Sequence, residues 1–135
     1  MYDRHWDALE KASGVNCKPD EDFTLSKLVD LGMVAHVQKC EDIGEKANKE
    51  YFIEKSLKKM KADWVGQNFL TPQFKNTTTN FIAGFEDAAN LLDEHIVTGQ
   101  AMQFSPFKGP FVDEIETWVK KLMTVQETLE EWIKC

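Results

Sequence analysis

Phe111, Ile115, Trp118, Leu122, Val125, Leu129 and Trp132 alternate steps of four and three without a miss. That spacing places all of them on one stripe of an α-helix, at the period of a heptad seam, and such a seam is covered by another helix laid along it. The chain is therefore committed to close helix-on-helix packing. The seam is still running at Cys135, with no glycine, proline or polar cap to close it. A helical pattern also begins almost at Met1, in YDRHWDALEKASG, where Trp6, Leu9 and Ala12 share a face. Residues 1–135 are thus expected to be a single segment cut from a longer polypeptide.

Three further helical stretches precede the seam. Thr24 has the chemistry of an N-cap, with Phe23 and Leu28 placed for a hydrophobic staple, Leu25, Leu28 and Val29 as the apolar side and Gly32 as the stop. From Met33 the stripe runs through Val37, Cys40, Gly44, Ala47 and Tyr51, then restarts one residue out of phase as Ile53, Leu57, Met60 and Trp64. A slip of one residue turns the apolar face by about 100°, so a bend, or a break into two helices, is expected between Asn48 and Ile53. Phe85, Ala89, Leu92, Ile96 and Gly99 restore helical spacing, with Glu86 and Asp87 in the first turn, where the helix dipole favours negative charge.

Residues 66–84, GQNFLTPQFKNTTTNFIAG, differ in kind: rich in threonine and phenylalanine, bounded by glycines, and nearly uncharged. This composition predicts two short strands, at about 67–74 and 77–83, joined by a turn near Lys75-Asn76, with Pro72 confining its strand to an edge or a bulge. The expected fold class is mainly α: packed antiparallel helices in an elongated bundle, with a small two-stranded β-hairpin near 67–83.

Composition excludes several roles. Sixteen basic against twenty-three acidic residues give a net charge of −7, which argues against general affinity for nucleic acid or an anionic membrane. The lysines of KSLKKMKADW (55–64) fall on the polar side of an amphipathic helix and read as a solvated face. No apolar run approaches the length of a membrane span. Cys17, Cys40 and Cys135 are scattered and odd in number, as free thiols in a reducing compartment would be, with Cys40 packed as a small hydrophobe. Asn76-Thr77-Thr78 matches a glycosylation acceptor but follows no secretory signal.

No catalytic, cofactor-binding or metal-ligating residue stands out. His5, His36 and His95 are far apart, none with a ligand partner on a shared helical face, and read as surface or satisfied core histidines. No GxxxxGK[ST], GxGxxG or GxSxG occurs. Asp113-Glu114 and Glu130-Glu131 lie beside the seam, where solvation is the default role. The four tryptophans are spaced as core or interface anchors.

MQFSPFKGPF (102–111) separates the last two helices. Pro106 and Pro110 are four apart, not at the PxxP spacing of polyproline ligands. Pro106 disfavours helical geometry at Ser105 and ends the preceding helix at about Phe104. Pro110 suits the first position of the last helix, with Gly109 as its cap. Phe104, Phe107 and Phe111 are then expected to close over the end of the core.

Five stretches, DRHWDAL, TLSKLVDLG, KANKEYFIEKSLKKMKADW, LLDEHIVTGQAMQFSPFKGPF and ETWVKKLMTVQETLEEWIKC, resemble in that order the linker region of dynein heavy chains, N-terminal region 2. The resemblance covers Arg4 to Cys135. Its most specific pieces are Arg4-His5-Trp6 and Ser105-Pro106-Phe107 with Pro110 and Phe111; Trp118 and Trp132 anchor the seam that follows. QAMQFSPFKGPF and QETLEEWIKC look more like axonemal than cytoplasmic dyneins, particularly the inner-arm type.

The resemblance implies a non-catalytic mechanical segment of a microtubule motor. In that family the linker lies across an AAA+ ring, and its bending and straightening produce the power stroke. ATP and Mg would be bound by the parent motor, C-terminal to this segment. The implied partners are the AAA+ ring and neighbouring linker helices of the same heavy chain, with the microtubule reached only through the motor and with no nucleic acid or membrane. The implied location is the cytoplasm and cytoskeleton, in the axoneme of a cilium or flagellum. A free-standing helical scaffold or interaction module is the alternative: it accounts for the seam and the acidity, but not for the ordered matches. A stand-alone enzyme is the weakest reading.

Overall fold

The computed structural model describes residues 1–134, so Cys135 lies outside the described residues. The secondary structure is mainly helical: α1 (Asp3–Ser13), α2 (Leu25–Asp30), α3 (Val37–Asp63), α4 (Glu86–Phe104) and α5 (Val112–Lys134). Short 3₁₀ turns at Met33–His36 and Gly109–Phe111 lead into α3 and α5. The chain divides into two compact units, Met1–Phe52 and the residues from Ile53 onward.

In the first unit, α1 ends where Gly14 takes a left-handed conformation (φ 76°) and its N–H donates to the Glu10 carbonyl at 2.7 Å. Thr24 caps α2 as its chemistry predicts, its hydroxyl oxygen accepting from the Lys27 N–H at 3.2 Å. Leu9, Cys17 and Met33 form the core, and Trp6, Val15, Leu28, Cys40 and Ile43 pack against it. The apolar side expected for α2 is only partly used: Leu28 packs inward, while Leu25 and Val29 are exposed. A helix of six residues offers the core little more than one inward position.

The break expected between Asn48 and Ile53 does not occur, because α3 runs unbroken from Val37 to Asp63. The physical reason is Glu50. Tyr51, taken as the inward position, is exposed, whereas Glu50 is buried, its side chain 3% exposed. With Glu50 in place of Tyr51, the inward-facing sequence is Cys40, Ile43, Ala47, Glu50, Ile53, Leu57 and Met60, in steps of three and four. An uninterrupted α-helix satisfies that period. The apparent slip arose from a carboxylate occupying an inward position.

In the second unit, Ile53, Leu57 and Met60 of α3 meet Met102 of α4 and Ile115 and Val119 of α5. Leu92, Ile96 and Leu122 form a second cluster, with Trp64 and Trp118 against it. Leu57, Leu92 and Ile115 are each only 1% exposed, and burial of such a side chain contributes about 1.5–3 kcal/mol. Helices α4 and α5 are antiparallel: Asp93 accepts from the Gln126 amide at 3.1 Å, Gly99 faces Val119, and Met102 clusters with Ile115. Of the predicted seam, Ile115, Leu122 and Leu129 are buried and Trp118 half-buried, while Val125 and Trp132 are exposed.

The β-hairpin expected near 67–83 is not formed, and the described residues hold no sheet. The segment doubles back through the predicted turn at Lys75-Asn76, but only isolated bridges form, Leu70 with Ala83 and Gln73 with Asn80. Between them Phe81 donates to the Pro72 carbonyl at 3.0 Å. Pro72 has no N–H to return that bond, so a reciprocal pair is missing at the middle of the would-be ladder.

Candidate functional site

The joint between α4 and α5 is built from backbone rules. Helix α4 ends at Phe104, and Ser105 turns to extended geometry (φ −67°, ψ 132°), as a residue before proline should. The Ser105 N–H still reaches the Met102 carbonyl at 3.1 Å, and the Ser105 hydroxyl oxygen accepts from the Phe107 N–H at 3.3 Å. Lys108 closes the corner: its Nζ donates to the Gln103 carbonyl at the end of α4. Its own carbonyl accepts from the Phe111 N–H at 2.7 Å.

Pro110 lies in the first turn of the 3₁₀ segment Gly109–Phe111, where a missing N–H costs nothing, and α5 follows at Val112. The capping position is Lys108 rather than Gly109, because the 3₁₀ turn begins one residue earlier than the predicted helix start. Phe107, Phe111 and Trp118 all pack against the cluster of Ile53, Leu57, Met60, Met102, Ile115 and Val119. Phe104 does not join them. It is 87% exposed, because α4 continues helically to that residue and carries its side chain to the outer face.

Trp118 also packs against the second cluster, and its indole N–H is buried with no hydrogen-bond partner among the described residues. Trp132 is placed elsewhere, in a groove with Phe74, Phe81, Ile82, Phe85 and Ile133. The Ser105-Pro106-Phe107 stretch, Pro110, Phe111 and Trp118 therefore form one structural corner, and Trp132 is separate from it.

Arg4, His5 and Trp6 lie on α1 and act differently from one another. Trp6 packs against the core of the first unit and stands edge-on to Phe23, with ring centroids 5.7 Å apart. His5 is buried and meets Glu50, Nε2 to Oε2 at 2.9 Å. Its Nδ1 accepts from the Tyr2 backbone N–H at 3.1 Å, so the ring proton sits on Nε2 and points at the carboxylate. Arg4 donates to the same oxygen through Nε, at 3.2 Å, and through Nη2. Its guanidinium lies over the Tyr2 ring, 4.5 Å from the centroid.

Burial pushes the Glu50 carboxyl up, but the hydrogen bonds from Arg4 and His5 and the charge of Arg4 prevail and hold it below its ordinary value of 4.5. Sequence reasoning missed Glu50 entirely. The available signal was a carboxylate three residues after Ala47 and three before Ile53, at helical spacing within an apolar stripe.

The remaining chemistry is structural in character. Burial pushes the Cys17 thiol up, and Cys40 and Glu10 push it the same way, which keeps it protonated and a poor nucleophile. Among the described residues no three histidine, cysteine or acidic side chains converge as a metal site, and no helix is long and apolar enough to cross a membrane.

Comparison with known proteins bears on all of these positions. The family model described as "Dynein heavy chain, N-terminal region 2" matches residues 1–135. Dynein axonemal heavy chain 3 of Homo sapiens is 39% identical over 135 residues, covering 100% of this chain and 3% of that protein. Dynein axonemal heavy chain 1 of Mus musculus is 37% identical with the same coverage. Dynein axonemal heavy chain 12 of Mus musculus is 32% identical over 134 residues, 99% of this chain and 4% of that protein. The chain thus spans only a small part of the length of the relatives it matches. With a match over its full length, the chain belongs to the dynein heavy chain N-terminal region 2 family.

Proposed function

We propose that this chain is a non-catalytic mechanical segment of an axonemal dynein heavy chain linker, the arm that bends and straightens across an AAA+ ring. The observation that carries the reading is the family match over residues 1–135. The packing is consistent with it: two antiparallel helices locked by interdigitated apolar side chains, with a corner held by local hydrogen bonds, make a stiff element. In this reading ATP and Mg are bound by the parent motor, and the ring and adjacent linker helices are the partners. The microtubule is engaged only through the motor, and the location is the axoneme and its cytoskeleton, in keeping with the axonemal relatives.

The test is the corner itself. Gly109→Ala with Pro110→Ala, placed in the heavy chain, frees the α5 entrance from its fixed φ. Microtubule gliding velocity should fall more than basal ATP turnover. A proportional fall in both, or no change in either, would overturn the mechanical assignment.

A further inference from the structure

Ser105, Pro106, Phe107 and Lys108 set a serine before a proline, with a cation three residues after the serine. Proline-directed protein kinases select that order. Proline after the acceptor leaves no N–H unpaired in the enzyme's groove, and the cation pairs with an anionic pocket beyond it. The fold presents the motif in usable form. Ser105 is already extended (φ −67°, ψ 132°), as a substrate lying in a groove must be, and its bond to Pro106 is trans. Pro106 and Phe104 on either side are exposed, and Ser105 itself is half-buried. The Phe107 N–H takes one lone pair of the Ser105 hydroxyl oxygen at 3.3 Å, which leaves the hydroxyl proton for a base to remove.

We propose that Ser105 is the acceptor for a proline-directed serine kinase, and that its phosphate draws Lys108 off the end of α4. In the transfer, Ser105 Oγ bonds to the γ-phosphorus of ATP and the bond from that phosphorus to the β,γ-bridging oxygen breaks. ADP leaves, and the serine proton passes to a carboxylate of the kinase. Charge then decides the rearrangement. Lys108 Nζ donates to the Gln103 carbonyl, two residues before Ser105, so the ammonium is already held at the same corner. A phosphate brings about −1.5 to −2 charges and three acceptor oxygens, and an ammonium pairs more strongly with it than with a neutral carbonyl. The new charge also sits at the C-terminal end of α4, where the helix dipole opposes it. Loss of Lys108 and the opposed dipole both loosen the last turn of α4. The site depends on the corner alone and is independent of the linker reading.

The test incubates the full-length heavy chain with ATP and a cyclin-dependent kinase, a member of the proline-directed class, and maps its phosphopeptides by mass spectrometry. Phosphate should appear on Ser105. Pro106→Ala should lower incorporation there at least tenfold, and Lys108→Ala should lower it several-fold. Hydrogen exchange of the amides at 101–105 should be at least threefold faster in the phosphorylated chain than in the unmodified one. In Lys108→Ala, phosphorylation should accelerate that exchange less, because the cap is already lost. No phosphate on Ser105, incorporation insensitive to both substitutions, or exchange that is unchanged or slower would each overturn the proposal.

Discussion

His5 and Glu50, forty-five residues apart in sequence, meet at 2.9 Å in the interior of the first unit, and the imidazole proton points at the carboxylate. The pair joins α1 to the middle of α3 through a charge that has left water. Arg4 makes this tolerable: it donates to the same oxygen while its own side chain remains 42% exposed. A buried carboxylate held by two donors is stabilising only while both are present.

Glu50→Ala should lower stability by about 1–3 kcal/mol, the cost of a buried donor at His5 left without an acceptor. Glu50→Gln should cost less, since an amide oxygen can still accept. The denaturant midpoint, followed by circular dichroism, measures both. An alanine variant as stable as the parent would mean that the pair contributes nothing.

The same pair sets an acid limit. The folded Glu50 carboxyl titrates below its ordinary value of 4.5, so as pH falls the unfolded chain takes up the proton first. Its contribution is complete above pH 4.5 and is lost as pH drops through the lowered value. Plotted against pH below 4.5, the denaturation midpoint should fall more steeply for the parent than for Glu50→Gln. Parallel curves would exclude Glu50 as a source of the acid sensitivity.

Gly99 is where α5 presses against the α4 backbone: a Cβ there would lie 2.6 Å from Val119 Cγ2. Gly99→Ala should therefore destabilise by about 1–3 kcal/mol through overpacking, despite the gain of about 1 kcal/mol in helix propensity. Adding Val119→Ala should recover part of the loss, and a double-mutant cycle reads that coupling. Additive effects would mean that the two helices separate without resistance.

How far such contacts could be foreseen depends on their range. Thr24 as a cap and Phe104 as a helix end follow from local chemistry, and both appear as expected. Ile115, Leu122 and Leu129 follow from periodicity, and all three are buried. Glu50 defeated periodicity because its burial depends on Arg4 and His5, which no local pattern connects to it. The strands at 67–83 failed for the opposite reason. Composition favoured them, but a ladder needs a donor at Pro72 that proline lacks. Gly99 reads as one more apolar position until the approach of Val119 is seen.

The phenylalanines of the corner separate cleanly. Phe107 packs against the core of the second unit, whereas Phe104 is exposed. Phe107→Ala should cost about 2–3 kcal/mol, short of the full value for a buried ring because it is only partly covered. Phe104→Ala should change stability by less than about 0.5 kcal/mol. Equal losses in thermal denaturation would place Phe104 in the core and contradict the geometry of the joint.

Trp64 and His95 form a partly buried polar contact in the second unit, the indole N–H donating to His95 Nδ1 at 3.0 Å. That donor leaves the ring proton on Nε2, whose nearest charged neighbour is the Asp63 carboxylate at 3.6 Å. Trp64→Phe keeps most of the aromatic surface but removes the donor, leaving a buried nitrogen unpaired at a cost of about 1–3 kcal/mol. It should also release the tautomer, because nothing then reserves Nδ1 as an acceptor. Nitrogen-15 NMR of His95 reads this directly. The parent should show the Nε2-protonated form alone, and Trp64→Phe a mixture of both forms. A mixture already present in the parent would show that the indole does not hold the ring.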